Sequence, residues 1–394
     1  MAHLRKPEPF GRFVLLHHIA TGGTAEIYLA QAPADRLLVI KRLREERHRN
    51  KRYIALFIDE KRVMSRLDHP NITRMLEYGK VDDRYYIALE HVWGETAATL
   101  VTLCAQQRLR FPAGAALYIG AQVAEALDYA HTLRDEHGAP SPVIHRDVTL
   151  GNVMLSYEGD VKILDFGIAK AAGRVSRTLL GQVKGTLFYL APEQVNGEEI
   201  GPHTDVYQLG VFLYKTLVGR EPFAGDSELQ IMEAIAKGQV IPPSTHGRAF
   251  PERVERVILR AMARAPDERF SSAGALGAEL RKLIGSAYGE GRARLARMVA
   301  SLTGDRRALQ QAYVKQLRAG LVVDGQALDL FRWSGEEESP TNLEAELTAA
   351  ERPDVKRQRA TGGPTRRERT LIDAWTDPAN PNAGRGGARS DGGA

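Results

Sequence analysis

The hydrophobic period of this chain changes once, near Trp93-Gly94, and that change limits the folds open to it. Before it, short apolar runs at residues 13–19, 27–30 and 37–40 read as strands, the first two split by Thr21-Gly22-Gly23-Thr24. Two more strand candidates, at 72–78 and 85–90, flank the Asp82-Asp83 turn. One helix interrupts them: Ile54, Phe57, Ile58, Val63, Met64 and Leu67 recur at helical spacing until Asp68-His69-Pro70 stops the run. After the change, an Ala-rich helix opens at Pro112 and runs to 131, and further helices are predicted at 204–219, 227–237, 252–264 and 272–284. Strands first and helices afterwards predict an α+β chain of two lobes, β-rich then α-rich.

Composition narrows the class without naming a function. The length of 394 residues fits two or three ordinary domains, and 43% hydrophobic with 26% charged residues excludes collagen-like, wholly disordered and coiled-coil chains. No apolar run approaches the roughly 20 residues that span a bilayer, so no membrane span is expected. The positive cluster at the N-terminus has no apolar stretch behind it, which speaks against export. A single cysteine, Cys104, forms no internal disulfide and suits a reducing cytoplasm, where it reads as a small core residue.

The formal charge of +5 raises the question of nucleic acid, but its distribution answers against it. Residues 290–394 hold 17 basic and 15 acidic residues, so neither part of the chain is strongly basic. The excess sits in blocks: residues 336–351 hold six acidic and no basic residues, and residues 352–369 hold seven basic and two acidic ones. The basic block has no interleaved aromatic for base stacking, and no nucleic-acid partner is expected. Helical patterning continues over 290–331 through Leu295, Met298, Val299, Leu302, Leu309, Tyr313 and Leu317. From Ser334 onward Pro, Gly, Ala and charge dominate, and this tail is read as disordered.

The chemistry concentrates in His145-Arg146-Asp147-Val148-Thr149-Leu150-Gly151-Asn152. A carboxylate and a carboxamide five residues apart on one loop can orient a hydroxyl nucleophile and ligate a cation near phosphate oxygens. Asp165-Phe166-Gly167 follows a strand-like Val161-Lys162-Ile163-Leu164, a placement suited to a metal ligand. Upstream, Lys41 ends an apolar strand where its ammonium reaches phosphate, and Glu60 on the next helix can hold it by an ion pair. Each alone is an ordinary solvated side chain or turn; the order and spacing together are what carry weight.

In that order the residues resemble the eukaryotic-like (Hanks-type) serine/threonine protein kinases of bacteria over roughly residues 11–285. The resemblance implies a bilobal kinase domain with an N-lobe over about 11–92 and a C-lobe over about 93–285, then a helical extension (286–333) and the tail (334–394). It further implies that Asp147 orients the substrate hydroxyl, that Asn152 and Asp165 hold Mg²⁺ (Mn²⁺ being the alternative), and that Lys41, braced by Glu60, positions the phosphates of ATP. The nucleotide would lie against the loop Ile19, Ala20, Thr21, Gly22, Gly23, Thr24, Ala25, Glu26 and Ile27. Glu90 and Val92 would offer hinge backbone to adenine beside the gatekeeper Leu89, with Val39 and Met154 completing the sandwich. Glu193 is expected to pair with Arg269, and Asp205 to brace the catalytic loop through backbone amides.

The departures from the family pattern are specific. Ala20 and Ala25 replace two of the three loop glycines, and Thr149 stands where the serine/threonine kinases usually carry a lysine. Residues 132–144 lengthen a normally short link and read as a surface loop. Arg146 before Asp147 implies control by phosphorylation between Asp165 and Glu193, with Ser176 and Thr178 as candidates and Thr186 a structural contact of Asp147. Thr370, with Asp373 three residues later among arginines, resembles a ligand of phosphothreonine-binding, forkhead-associated domains. The expected function is phosphate transfer to protein substrates, with autophosphorylation in bacterial signalling. The alternative is a pseudokinase scaffold that binds nucleotide or partners without efficient transfer, and a small-molecule phosphotransferase stands third.

Overall fold

The computed structural model describes residues 7–166, 185–246, 250–320 and 330–331. Ser176, Thr178, Thr370 and the tail read as disordered lie outside the described residues. Strands β1 (Glu8–Phe10), β2 (Phe13–Thr21), β3 (Ala25–Gln31), β4 (Leu37–Leu43), β5 (Met75–Val81) and β6 (Arg84–Glu90) form one sheet in the order β1-β2-β3-β4-β6-β5. Alternation along β3 sets the two faces: Ala25 and Ile27 join a cluster with Val39 and Leu89, while Tyr28 and Ala30 join Phe13 and Tyr86 on the other side. Helix α1 (Lys51–Met64) starts where the Asn50 side chain accepts from the Arg52 amide, and buries Phe57, Glu60 and Met64.

The strand expected at 72–78 starts later, because residues 71–73 pair with the second lobe instead. Ile163 donates its N–H to the Asn71 carbonyl, and Thr73 donates to the carbonyl of Ile163. The Asn71 side chain adds a bond to the Val161 carbonyl, so this short stretch ties the lobes together. The three-residue β1 escapes a pattern reading because so short a segment shows no period.

The second lobe contains β7 (Gly94–Thr96), α2 (Ala97–Gln106), α3 (Ala113–His131), β8 (Val153–Ser156) and β9 (Val161–Ile163). It continues through α4 (Pro192–Asn196), α5 (Pro202–Val218), α6 (Glu228–Lys237), α7 (Glu252–Ala261) and α8 (Ala273–Ile284). Strands β7, β8 and β9 make a small separate sheet. Helix α3 is apolar nearly all round, and its alanines and Gly120 let α5 and α8 approach closely; a Cβ at Gly120 would meet Leu213 at 2.8 Å. Between α3 and the catalytic loop, the long link folds into a turn whose Asp135 carboxylate accepts from the amides of His137 and Ala139.

Two helices follow the lobe, α9 (Gly291–Thr303) and α10 (Arg306–Arg318). Leu295, Met298, Val299 and Leu302 of α9 enter the core of the second lobe. Gly159, at φ +85°, makes that docking fit: a Cβ there would lie 2.0 Å from the Arg292 carbonyl oxygen. Tyr313, Val314 and Leu317 of α10, with Phe331, cluster instead on Leu16 and Leu29 of the first lobe. Leu309, part of the same apolar pattern, is exposed. Cys104 is a buried core residue whose thiol burial pushes up to about 12. Among the described residues no helix is long and apolar enough to cross a membrane.

Candidate active site

Strand β4 delivers Lys41 to the inner face of the sheet, opposite α1. The Lys41 ammonium bonds Glu60 Oε1 and, at 3.0 Å, Asp165 Oδ1. Burial works against the charge, but the Asp165 and Glu60 carboxylates outweigh it and hold the Lys41 pKa above its ordinary value. Asp165 sits at φ +43°, a left-handed conformation that non-glycine residues rarely adopt. Phe166, buried, holds this turn from below with its ring 4.7 Å from that of His145.

The loop before β8 is fixed by a buried carboxylate from α5. Asp205 accepts from the backbone amides of His145 and Arg146 at 2.8 and 2.7 Å and pairs with His131 Nε2 at 2.7 Å. Burial raises its carboxyl pKa, yet the bonds from His131 and from the His145 amide prevail and hold it below the usual range. These two amides let Arg146 take φ +68°. His145 Nε2 bonds the Leu164 carbonyl at 2.9 Å while its Nδ1 accepts from the Asp147 amide at 3.2 Å. That pairing fixes one tautomer, with the proton on Nε2.

Asp147 and Asn152 then meet across the loop. Asn152 Nδ2 donates to the Asp147 carbonyl at 2.8 Å and to its Oδ2 at 2.9 Å. Asn152 Oδ1 and the Asp165 oxygen not facing Lys41 are thereby available as hard oxygen donors, the ligand type a Mg²⁺ beside phosphate requires. Thr149 caps the turn of residues 150–152, its hydroxyl accepting from the Asn152 amide at 3.3 Å. Its hydroxyl thus shapes the loop at the position where a lysine is usual.

Of the residues expected at the nucleotide, the apolar ones gather in one cluster, and two side chains turn elsewhere. Ile27, Val39, Leu89, Val92 and Met154 form one buried cluster, with Ile19 and Ala20 packed against it. Glu26, however, points to the opposite face of β3, where it pairs with Arg42; alternation along the strand leaves only its backbone toward the cleft. The Glu90 side chain likewise turns away, to Lys162, and its amide donates to the Arg74 carbonyl. The loop glycines sit in the β2–β3 turn, where Gly22 N–H donates to the Ala25 carbonyl and Thr24 follows; Thr21 pairs with Glu26 at the strand ends. Thr186 begins the short helical turn 186–189 near the second-lobe core.

Residues 13–280 match the protein kinase domain family. The chain belongs to that family. It is 33% identical over 369 residues to the tyrosine-protein kinase MasK of Myxococcus xanthus, covering 90% of this chain and 57% of that protein. It is 33% identical over 272 residues to the serine/threonine-protein kinase PrkC of Bacillus subtilis, covering 69% of this chain and 40% of that protein. The chain thus spans only about half the length of these curated relatives. A crystal structure of a variant of the Mycobacterium tuberculosis PknI kinase domain is 26% identical, with a TM-score of 0.54 over 72% of this chain and all of that domain.

The kinase domain also holds residues that sequence reasoning passed over. Gln208 Oε1 accepts from the Val148 amide and its Nε2 donates to the Arg146 carbonyl, both at 2.9 Å. Gln194 bonds Gln208 at 3.0 Å and so joins the segment after Ala191-Pro192-Glu193 to the catalytic loop. A glutamine inside a helix gives no sequence signal for this. Glu193 and Arg269 make two bonds of 2.8 Å, with the Arg269 side chain fully buried. Burial pushes the Glu193 carboxyl up, but Arg269 outweighs it and keeps the group below its usual range.

Proposed function

We propose that this chain is an ATP-dependent protein kinase that transfers the γ-phosphate to serine or threonine hydroxyls of proteins. The observation that carries the reading is the Lys41 ammonium held between Glu60 and Asp165, in the cleft that also holds the Asn152-bonded Asp147. Phosphoryl transfer asks a protein for positioning and charge neutralisation more than for covalent chemistry. Lys41 would bond the α and β phosphates, and its two carboxylate partners keep it charged and aimed. Asp147, held by Asn152, would orient the attacking hydroxyl and take its proton. Asn152 and Asp165 would hold Mg²⁺, which when bound neutralises charge on the phosphates.

Incubation with labelled ATP and Mg²⁺, on the chain itself and on a generic basic protein, tests this. Label in wild type and none in Asp147→Asn is expected. Phosphoamino-acid analysis then separates hydroxyl types, because one relative carries the name of a tyrosine kinase. The second reading, a nucleotide-binding scaffold, draws on Thr149: its hydroxyl caps the Asn152 turn and brings no cation to the γ-phosphate. Absence of label in both proteins, with nucleotide still bound, would favour it.

Regulation belongs to the same reading. The Arg146 Nε is buried with no hydrogen-bond partner among the described residues. A phosphate placed there by autophosphorylation at Ser176 or Thr178 would pair with it. Thr370, once phosphorylated, would recruit a forkhead-associated partner. An ATP-consuming reaction and a buried free thiol suit the reducing cytoplasm.

A further inference from the structure

The cavity at the adenine end of the cleft has two sources of lining. Ile19, Val39 and Met154 come from the lobes, while Gln310, Leu330 and Phe331 come from beyond the residues that match the kinase family. We infer that the C-terminal extension completes the adenine pocket in cis, with Leu330 and Phe331 as its outer wall and Gln310 and α10 as the frame that holds them. The inference rests on the nucleotide reading above and assigns part of the base-binding site to residues outside the matched domain.

The frame is anchored by a buried charge. Glu95, three residues past Val92, is 3% exposed. Its carboxylate takes bonds from Arg306 Nε at 2.8 Å, Tyr157 Oη at 3.0 Å and Gln310 Nε2 at 3.2 Å. A carboxylate so enclosed requires a compensating cation, and Arg306 of α10 supplies it. The docking of α10 on the hinge is therefore part of the folded lobe pair and no incidental surface contact. The same Gln310 amide then donates to the Leu330 carbonyl at 2.7 Å, which sets the height of Leu330 and Phe331 over the cavity.

Phe331 is fixed from the other side by the first lobe. Its ring lies 5.8 Å from Tyr313, 6.0 Å from His17 and 6.4 Å from His91. Tyr313 Oη bonds His17 Nδ1 at 3.0 Å, so strand β2, the hinge and α10 all clasp the ring. Leu330 packs against the same cluster as Ile19, the residue expected to cover one face of the base, and both line the cavity. An apolar wall of this kind favours a flat, weakly polar base and does nothing for a phosphate chain.

Equilibrium titration of the purified full chain, with adenosine and with inorganic tripolyphosphate plus Mg²⁺ as separate probes, tests the inference. Phe331→Ala is expected to weaken adenosine binding about tenfold, the loss of one apolar contact face, and to leave tripolyphosphate binding unchanged. Phe331→Leu should retain most of the adenosine affinity. Three results overturn the inference: unchanged adenosine affinity in Phe331→Ala, tighter adenosine binding, which would make the segment a competitor of the base, or equal losses for both probes, which would mean a general loss of structure. Wild-type protein that binds neither probe overturns the nucleotide reading and this inference together. Wild-type binding with an indifferent Phe331→Ala overturns this inference alone.

Discussion

Lys41 Nζ and Asp165 Oδ1 lie 3.0 Å apart although 124 positions separate them in the chain. The contact joins β4 of the first lobe to the turn after β9 of the second, and Glu60 on α1 closes it into a three-membered network. Because the ammonium serves both carboxylates, the two lobes and α1 are set in one arrangement.

Replacing Lys41 by Met should lower phosphate transfer by roughly 10²–10³-fold, the scale of losing one aimed charge in a dry site. The fold should persist, since Glu60 can take up a proton when its cation is gone. Initial rates of autophosphorylation with labelled ATP, together with a thermal melt, check both halves. A variant as fast as wild type would show that Lys41 is structural only.

Asp205→Asn should destabilise the second lobe. A carboxamide presents NH₂ to a cage of three donors, from His131, His145 and Arg146, and cannot accept all of them. The cost is about 3 kcal/mol, which for a domain of this size lowers Tm by roughly 6–12 °C. Calorimetry measures the shift, and a change under about 2 °C, roughly 1 kcal/mol or less, would mean the cage is not the stabilising element.

Arg269→Met leaves the Glu193 carboxylate buried without its cation and should cost about 3–5 kcal/mol. Glu193→Gln on top of it should cost far less than the sum of the single changes, because neither charge is then stranded. A double-mutant cycle by urea denaturation reads the coupling; strict additivity would contradict the pairing.

The clasp on Phe331 should loosen with acid. Burial lowers the His17 pKa to about 4, with a smaller push from His18, and burial alone lowers that of His91 to about 4. Both pKa values are depressed on folding, so protons favour the unfolded or undocked state. Their contribution is complete above about pH 6.5 and is lost as pH falls from there toward 4. Glu95 in the same seam has its carboxyl raised by burial, with Arg306 and Tyr157 opposing, and works in the other sense at the acid end. Stability of the full chain should therefore drop between pH 7 and 5, and the double variant His17→Phe, His91→Phe should flatten that slope. An unaltered slope would remove these two histidines from the seam's energetics.

Much of this was legible in the linear chain. The change of period at Trp93 separated the β-rich from the helical lobe, and His145-Arg146-Asp147, Asn152 and Asp165 at their spacing marked the family, because those groups stand close together in the chain, on one loop and at the strand end after it. Tertiary structure decided what depended on distant partners. It committed residues 71–73 to Ile163, turned Glu26 to the far face of its strand, and engaged the Thr149 hydroxyl in capping Asn152. It also brought Arg306 to Glu95 across 211 positions and Phe331 into one cavity with Ile19, Val39 and Met154. A helical period can say that α10 has an apolar face. Which surface that face covers is set by where a buried carboxylate needs a cation, and that information exists only once the chain has folded.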